Sequence, residues 1–532
     1  MSMMPDTQPQ SFAENSRRAL TNAPLQGALT TATGKATSAR HTAVTNVGVE
    51  HWEELRERAH AIKEHTINNL DFYLEKFSAR VARAGGNVFW AETAEEACRY
   101  IADLAHRHGI KEIVKSKSMM TEEISLNRAL AEAGIKAIET DLGEYIVQLA
   151  DERPSHINMP AIHKTRSEVA DLFAEKLGVE RTEEITEMTA LARRVLRARF
   201  AEARMGVTGV NYAVAETGTI VLVENEGNIR LTTSLPRVHV AIMGIEKVIP
   251  RLQDLDVFIK LLSRSASGQK MCSYVSLLTG IKSSAAEAGP DEFHVVLIDN
   301  GRVEILADEH LRESLYCIRC GACLNICPVY RKIGGHAYGW VYPGPIGAVL
   351  TPQMIGLDRA AALPFASSLC GACGDVCPVK IKLPNMLLHL RHEIKENGHV
   401  SSRPPSLDKR EQSGSAARNS LDSFRHESQN SDGQSALARS RERLRNVFEH
   451  LWFRLWAVVM RGSFRYRSAA RVARLAQALV GERRSNGSFV LRAPWWSVTR
   501  DFPPLARRSF RDQWLQQSGL SKEPSVKKEP RL

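Results

Sequence analysis

Cys317-Ile-Arg-Cys320-Gly-Ala-Cys323-Leu-Asn-Ile-Cys327-Pro328 is answered further on by Cys370-Gly-Ala-Cys373-Gly-Asp-Val-Cys377-Pro378. Seven of the nine cysteines in 532 residues fall in this window. Three thiolates two residues apart let one tight loop wrap three corners of an iron–sulfur cubane. The fourth cysteine, three residues on and followed by proline, turns away to a second cluster. That rule assigns Cys317, Cys320, Cys323 and Cys377 to one cluster, and Cys327, Cys370 and Cys373 to another. The second set is one ligand short, because the position that would complete it is Ser367. A serine oxygen, a water, or an empty corner in a 3Fe-4S cluster would each answer for it, hard oxygen suiting iron less well than thiolate. The spacing leaves these open, and two 4Fe-4S centres are the simplest expectation.

Other uses of cysteine fit poorly. Structural zinc prefers two C-x2-C pairs held well apart, and disulfides belong to secreted chains, whereas no secretory signal is visible here. Cys98 and Cys272 stand alone and read as bystander thiols.

Outward from the cysteines, residues 303–316 form a helical approach, and a second helical pattern over Leu383–Glu396 closes the module. The 42-residue spacer Pro328–Leu369 carries G-G-H-A-Y-G-W-V-Y-P-G-P-I-G-A-V-L-T-P. That length suits the helical two-cluster ferredoxin type rather than the compact one.

Upstream, residues 87–300 alternate strand-like and helix-like runs. Strands are expected at 87–90, 112–114, 136–139, 145–149, 219–223, 238–243 and 294–298, with helices at 94–107, 121–133, 166–176, 183–203 and 254–262. Alternation of this kind predicts an α/β domain with a largely parallel sheet, which binds ligands at the carboxyl ends of its strands. The loops there are polar, and Lys117, His156, His163, Glu216 and Arg230 are candidates for an anion pocket. Each also has an ordinary structural reading, in a helix cap or a turn. No G-x-G-x-x-G after a strand and no P-loop occurs, so a nicotinamide, flavin or ATP site of the usual kinds is not indicated.

The apolar spacing from His51 to Ala84 predicts one long amphipathic helix ending at Gly85-Gly86. Residues 1–48 are rich in Ser, Thr, Ala and Gln without apolar periodicity, and read as a disordered leader. At the other end, residues 401–532 hold 26 Lys and Arg against 12 Asp and Glu, a net of +14 in a chain of net +11. The basic excess is therefore local. Residues 401–440 read as a linker and 441–532 as a basic, mostly helical region, helical over 442–480. Packing against partners or peripheral contact with a membrane explains that charge better than nucleic acid, for which no reader fold is present. No apolar run approaches the roughly 20 residues that span a bilayer, and a cytoplasmic location is expected, with the inner membrane face as its alternative.

Taken together, E-T-D-L-G-E-Y-I-V-Q-L, P-S-H-I-N-M-P-A-I-H, A-E-T-G-T with N-E-G-N, the two cysteine motifs, and Y-P-G-P-I-G-A-V-L-T-P resemble the lactate utilization protein B family over roughly residues 51–400. The resemblance implies an α/β domain (49–300) of isomerase/CoA-transferase-like fold, followed by a helical ferredoxin-like domain (301–400) with two clusters. It also implies an iron–sulfur subunit that acts with two partner proteins in oxidising L-lactate to pyruvate, and a family-wide serine at the place of Ser367. Its electron acceptor is left open. The rival functions are a non-catalytic small-acid-binding protein with structural clusters, and a relay for another 2-hydroxy acid or a quinone-linked oxidoreductase.

Overall fold

The computed structural model describes residues 11–284, 288–396, 451, 453–483, 489–491 and 510–517. Contacts divide the chain into two units, Met1–Pro404 and Pro405–Leu532.

Among the described residues the first unit has ten strands: β1 (Asn87–Ala91), β2 (Glu112–Lys115), β3 (Lys136–Glu139), β4 (Met205–Gly209), β5 (Tyr212–Val214), β6 (Thr219–Glu224), β7 (Val238–Gly244), β8 (Val248–Ile249), β9 (Tyr274–Leu278) and β10 (Glu292–Ile298). Six of them form a sheet in the order β1-β10-β7-β4-β2-β3, every pair parallel. Parallel sheets are covered on both faces and call for apolar runs without polar alternation. The central β7, Val-His-Val-Ala-Ile-Met-Gly, obeys this and is buried along its whole length. A four-stranded sheet, β8-β5-β6-β9, leans on the first. It is mixed, with β5–β6 and β6–β9 antiparallel and β5–β8 parallel.

The region after Ile298 does not hang from this domain as a separate bead. A continuous apolar core runs from Leu29 and Trp52 through Val221 and Phe258 to Tyr330, Val349 and Leu390. A buried ionic chain crosses the same junction. Arg302, wholly buried, grips Glu123 with two 2.9 Å bonds and Glu246 with one of 2.6 Å. The Tyr342 hydroxyl donates to Glu123 at 2.6 Å, and the Arg319 guanidinium lies 4.4 Å over the Tyr342 ring. Glu123 follows β2, Glu246 follows β7, and Arg319 sits between Cys317 and Cys320. One chain of charges thus ties the sheet's edge to the cysteine loop.

Several expectations need correction. The supposed disordered leader forms the helices Phe12–Thr21 and Ala23–Val47. The second is rich in Ala, Thr and Gly because it lies against other backbone on several sides. A Cβ on Gly268 would come within 2.5 Å of Ala39 backbone, and Leu29 and Thr33 are fully buried. A helix packed that closely needs small residues rather than one apolar stripe, so no periodicity betrays it. The long helix from His51 is two, Val49–Asn68 and Leu70–Arg83. Residues 145–149, read as a strand, belong to the helix Leu142–Leu149, which the Asp141 side chain caps by accepting from Glu144 N at 3.1 Å. Its β-branched run misled; the D-x-x-E capping signal was the better guide. The helix expected over 121–133 breaks into Met119–Glu123 and Leu126–Glu132 at Ser125, whose φ is +51°. The approach over 303–316 splits likewise, into Arg302–Ala307 and a 3-10 turn at Arg312–Tyr316.

In the second unit, residues 463–480 of the expected tail helix are helical. The linker 401–440 and residues 442–450 lie outside the described residues. Among the described residues no helix is long and apolar enough to cross a membrane.

Candidate metal centre and adjoining cavity

Both cysteine motifs make the same turn. In the first, Arg319 (φ +59°) and Gly321 (φ +74°) take left-handed backbone; in the second, Leu369 (φ +55°) and Gly371 (φ +87°) do so at the matching places. Such a path folds three residues around a common centre and aims amide N–H groups inward. Arg319 N donates to Cys317 Sγ at 3.4 Å, Tyr330 N to Cys327 Sγ at 3.5 Å, and Ile381 N to Cys377 Sγ at 3.4 Å. Ala322 N bonds Cys320, and Gly374 N bonds Cys373.

The thiols sort into two neighbourhoods. Burial, then the charges of Cys317, Cys320, Cys377 and Cys373, pushes the Cys323 thiol well up. Burial first, with Cys327 next, pushes Cys373 up to about 12, and Cys370 adds to it. Cys377, pushed up to about 11 mainly by burial, feels Cys317. Cys320, Cys327, Cys373 and Cys377 are buried, Cys317 and Cys323 partly so, and Cys370 is exposed. Thiols this enclosed stay protonated unless metal replaces the proton.

The surroundings of the first set fit an anionic cluster. Lys63 is 3 % exposed, and among the described residues its Nζ donates only to the Glu246 backbone carbonyl. Burial pushes Lys63 down to about 7 and Lys247 to about 8, and for both the Cys317 charge acts in the opposite direction. Among the described residues Arg319 Nη1 and Arg40 Nε are buried without a hydrogen-bond partner, while Arg56 donates to the carbonyls of Cys377 and Asp375, each at 2.9 Å. Buried cations short of partners are costly, and a multiply charged iron–sulfur cluster would offset that cost.

At position 367 the parallel between the loops is close. Leu369 N donates to Ser367 Oγ at 3.1 Å, the same i+2 amide contact that Arg319 N makes to Cys317 Sγ. The serine oxygen thus stands where the first loop has the Cys317 sulfur.

The five pocket candidates are not brought together. Lys117 lines a cavity at the sheet's carboxyl edge. His156, neutral and held down to about 3 by burial, then by Lys117, pairs with Asn325 at 3.2 Å behind the first cysteine loop. His163 lies between Glu152 (2.6 Å) and Ser155 (2.7 Å). That chain has the connectivity of a catalytic triad, but Ser155 is 1 % exposed and its carbonyl accepts from Tyr330 at 2.8 Å, which makes it a strut between the two halves. Glu216 accepts from Leu252 N at 3.0 Å, and Arg230 lies 5.0 Å over Tyr274. Sequence reasoning missed Lys115, buried between Glu122 (3.1 Å) and Glu139 (2.7 Å), and also Glu226 and Lys247. Lys115 ends a strand that reads only as Glu-Ile-Val-Lys, and nothing local marks its lysine as buried.

Comparison with known proteins agrees with this anatomy. Residues 74–298 match the LUD domain family and residues 313–381 the 4Fe-4S dicluster domain family. The chain is therefore an iron–sulfur protein, a LUD domain joined to a dicluster module. Lactate utilization protein B of Bacillus cytotoxicus is 50% identical over 372 residues, covering 70% of this chain and 78% of that protein. The proteins of that name from Bacillus thuringiensis and Bacillus anthracis have the same identity and coverage. The chain belongs to the lactate utilization protein B family. A crystal structure of a duf162 family protein from Deinococcus radiodurans matches at 13% identity with a TM-score of 0.25, covering 43% of this chain and 98% of that one.

Proposed function

We propose that this chain is the electron-transfer subunit of a multi-protein system that oxidises L-lactate to pyruvate. Cys317, Cys320, Cys323 and Cys377 hold one 4Fe-4S cluster; Cys327, Cys370 and Cys373 hold the second, with Ser367 at its fourth corner. The observation that carries this reading is the sorting of seven thiols into two neighbourhoods, all but the exposed Cys370 buried or partly buried. Family membership supports the lactate assignment, and with it two partner proteins. Bound clusters supply one-electron transfer at potentials set by charge, hydrogen bonds and exposure. The chain's own residues divide that work. Cys377 and Cys327 each reach from one motif into the other set, which holds the centres side by side, and exposed Cys370 puts the second set at the surface, where a partner can exchange electrons.

Anaerobic reduction followed by electron paramagnetic resonance tests the relay. Two signals that appear on reduction and vanish on reoxidation are expected; centres that cannot be cycled would favour a structural role and end the proposal. Ser367→Cys should alter the second centre's spectrum and leave the first unchanged. If neither spectrum moves, position 367 is remote from iron. Lys63→Met should lower the first centre's midpoint potential, since a positive charge nearby favours the added electron. An unchanged potential would show that Lys63 serves packing alone.

A further inference from the structure

Between the carboxyl edge of the six-stranded sheet and the loop Ile318–Arg319 lies a cavity of about 680 Å³, within the range of small-molecule sites, roughly 300–1,000 Å³. β4 and β7 reach it through Gly209 and Met243, and the helix Ala23–Val47 closes one side with Ala36 and Ala39.

The charges in its walls are unevenly committed. Asp141 caps a helix, Glu224 accepts from Ile229 N and Arg230 N at 2.7 and 3.0 Å, and Glu246 is taken by Arg302. Lys117 and Lys247 have no hydrogen-bond or ion-pair partner among the described residues. Glu226 shares the Lys117 end and accepts one bond, from Leu142 N at 3.0 Å. Glu226 is exposed at the cavity's rim; partial desolvation there, then Asp141, push its carboxyl upward, toward the range where it can accept or donate a proton near neutral pH. Free ammonium groups and a carboxyl of this kind are complementary to an anion that also carries a hydroxyl.

We propose that the cavity binds 2-hydroxy monocarboxylates by their head group, the carboxylate drawn to Lys117 or Lys247 and the hydroxyl directed to Glu226. The volume decides the specificity. A three-carbon acid fills on the order of 100 Å³ on the scale of about 30 Å³ per water, which leaves most of the cavity empty. Met119, Met120 and Ile242 line the remainder, so a side chain larger than methyl is accommodated. This rests on the lactate reading and extends it from one acid to a class.

Isothermal titration of the reconstituted full chain, kept anaerobic, with L-lactate and with L-2-hydroxyisocaproate tests the inference. Both should bind, the larger at least as tightly. One charge-assisted contact is worth about tenfold or more in affinity, so Lys117→Met or Lys247→Met should weaken both acids by that factor, and Glu226→Gln should weaken them relative to propionate, which has no hydroxyl. Iron content and reversible cluster signals, read on the same samples, show whether a variant is intact. Absence of saturable binding by either acid to an intact wild-type chain overturns the inference while the relay stands. Wild-type affinity in both lysine variants overturns it too, and a site that takes lactate but refuses the larger acid overturns its specificity claim.

Discussion

Cys377→Ala is expected to remove about half of the bound iron, lose the first centre's signal, and weaken the fold. Cys377 belongs in sequence to the second motif but sits among the thiols of the first, buried to 7 % exposure. Its carbonyl accepts from Arg56 at 2.9 Å and its Sγ from Ile381 N at 3.4 Å. The residue therefore joins three segments: the helix Val49–Asn68, the first loop and the second. Because a metal site is not preformed in the unfolded chain, the free energy of binding metal is free energy of folding. Losing it leaves Lys63, Arg40 and Arg319 beside protonated thiols, with Glu246, already held by Arg302, as the nearest carboxylate of Lys63 and Arg319. Iron analysis, resonance spectra and a thermal melt measure the three effects. Cys98→Ala is the comparison, since that thiol, pushed up to about 11 by burial, donates to the Ile124 carbonyl at 3.4 Å in a different part of the core. A Cys377→Ala protein with full iron would refute the assignment, and Cys377→Ser would show whether an oxygen can stand in.

Arg302→Ala should destabilise the first unit by about 3–5 kcal/mol, the usual cost of removing one partner from a buried pair. Glu123 and Glu246, both about 1 % exposed or less at the side chain, would be left facing each other and Tyr342. Acid should find the same weak point. Burial alone would raise the Glu246 carboxyl, yet Arg302, with Lys247 and Arg319 behind it, holds it down to about 2, against an ordinary 4.5. A depressed carboxyl contributes stability that is full above its unfolded value and is lost as pH falls through the folded one. Stability should therefore decline between about pH 4.5 and 2, and the decline should be shallower in Arg302→Ala. Denaturant melts across that range measure both, and an Arg302→Ala midpoint equal to wild type would show that the network contributes nothing net.

How much was legible beforehand depended on the range of the signal. The cysteine spacing is a local geometric code, so the presence of an iron–sulfur module could be read residue by residue. The parallel sheet was legible because β7 and β10 are apolar along their length and flanked by helices. The helix Ala23–Val47 was not, since its small residues answer to close packing against Gly268, a partner more than 200 positions away, and leave no apolar stripe to read. Of the pocket candidates, Lys117 alone lines the cavity. His163 and Glu216 carry the same chemistry in the sequence, but tertiary contacts spend it on struts and caps.

From the sequence by itself came the iron–sulfur module and the class of sheet, each written in spacing or periodicity over a few residues. Tertiary structure alone decided that the first helices wrap the cysteine loops through Arg40 and Arg56, and that Arg302 locks the sheet edge to the cluster loop. It also decided that Lys117 and Lys247 have no hydrogen-bond or ion-pair partner among the described residues in the space between. The physical reason is the same in each case: burial and pairing are properties of what the chain folds against, and no residue carries its partner's position in its own neighbourhood.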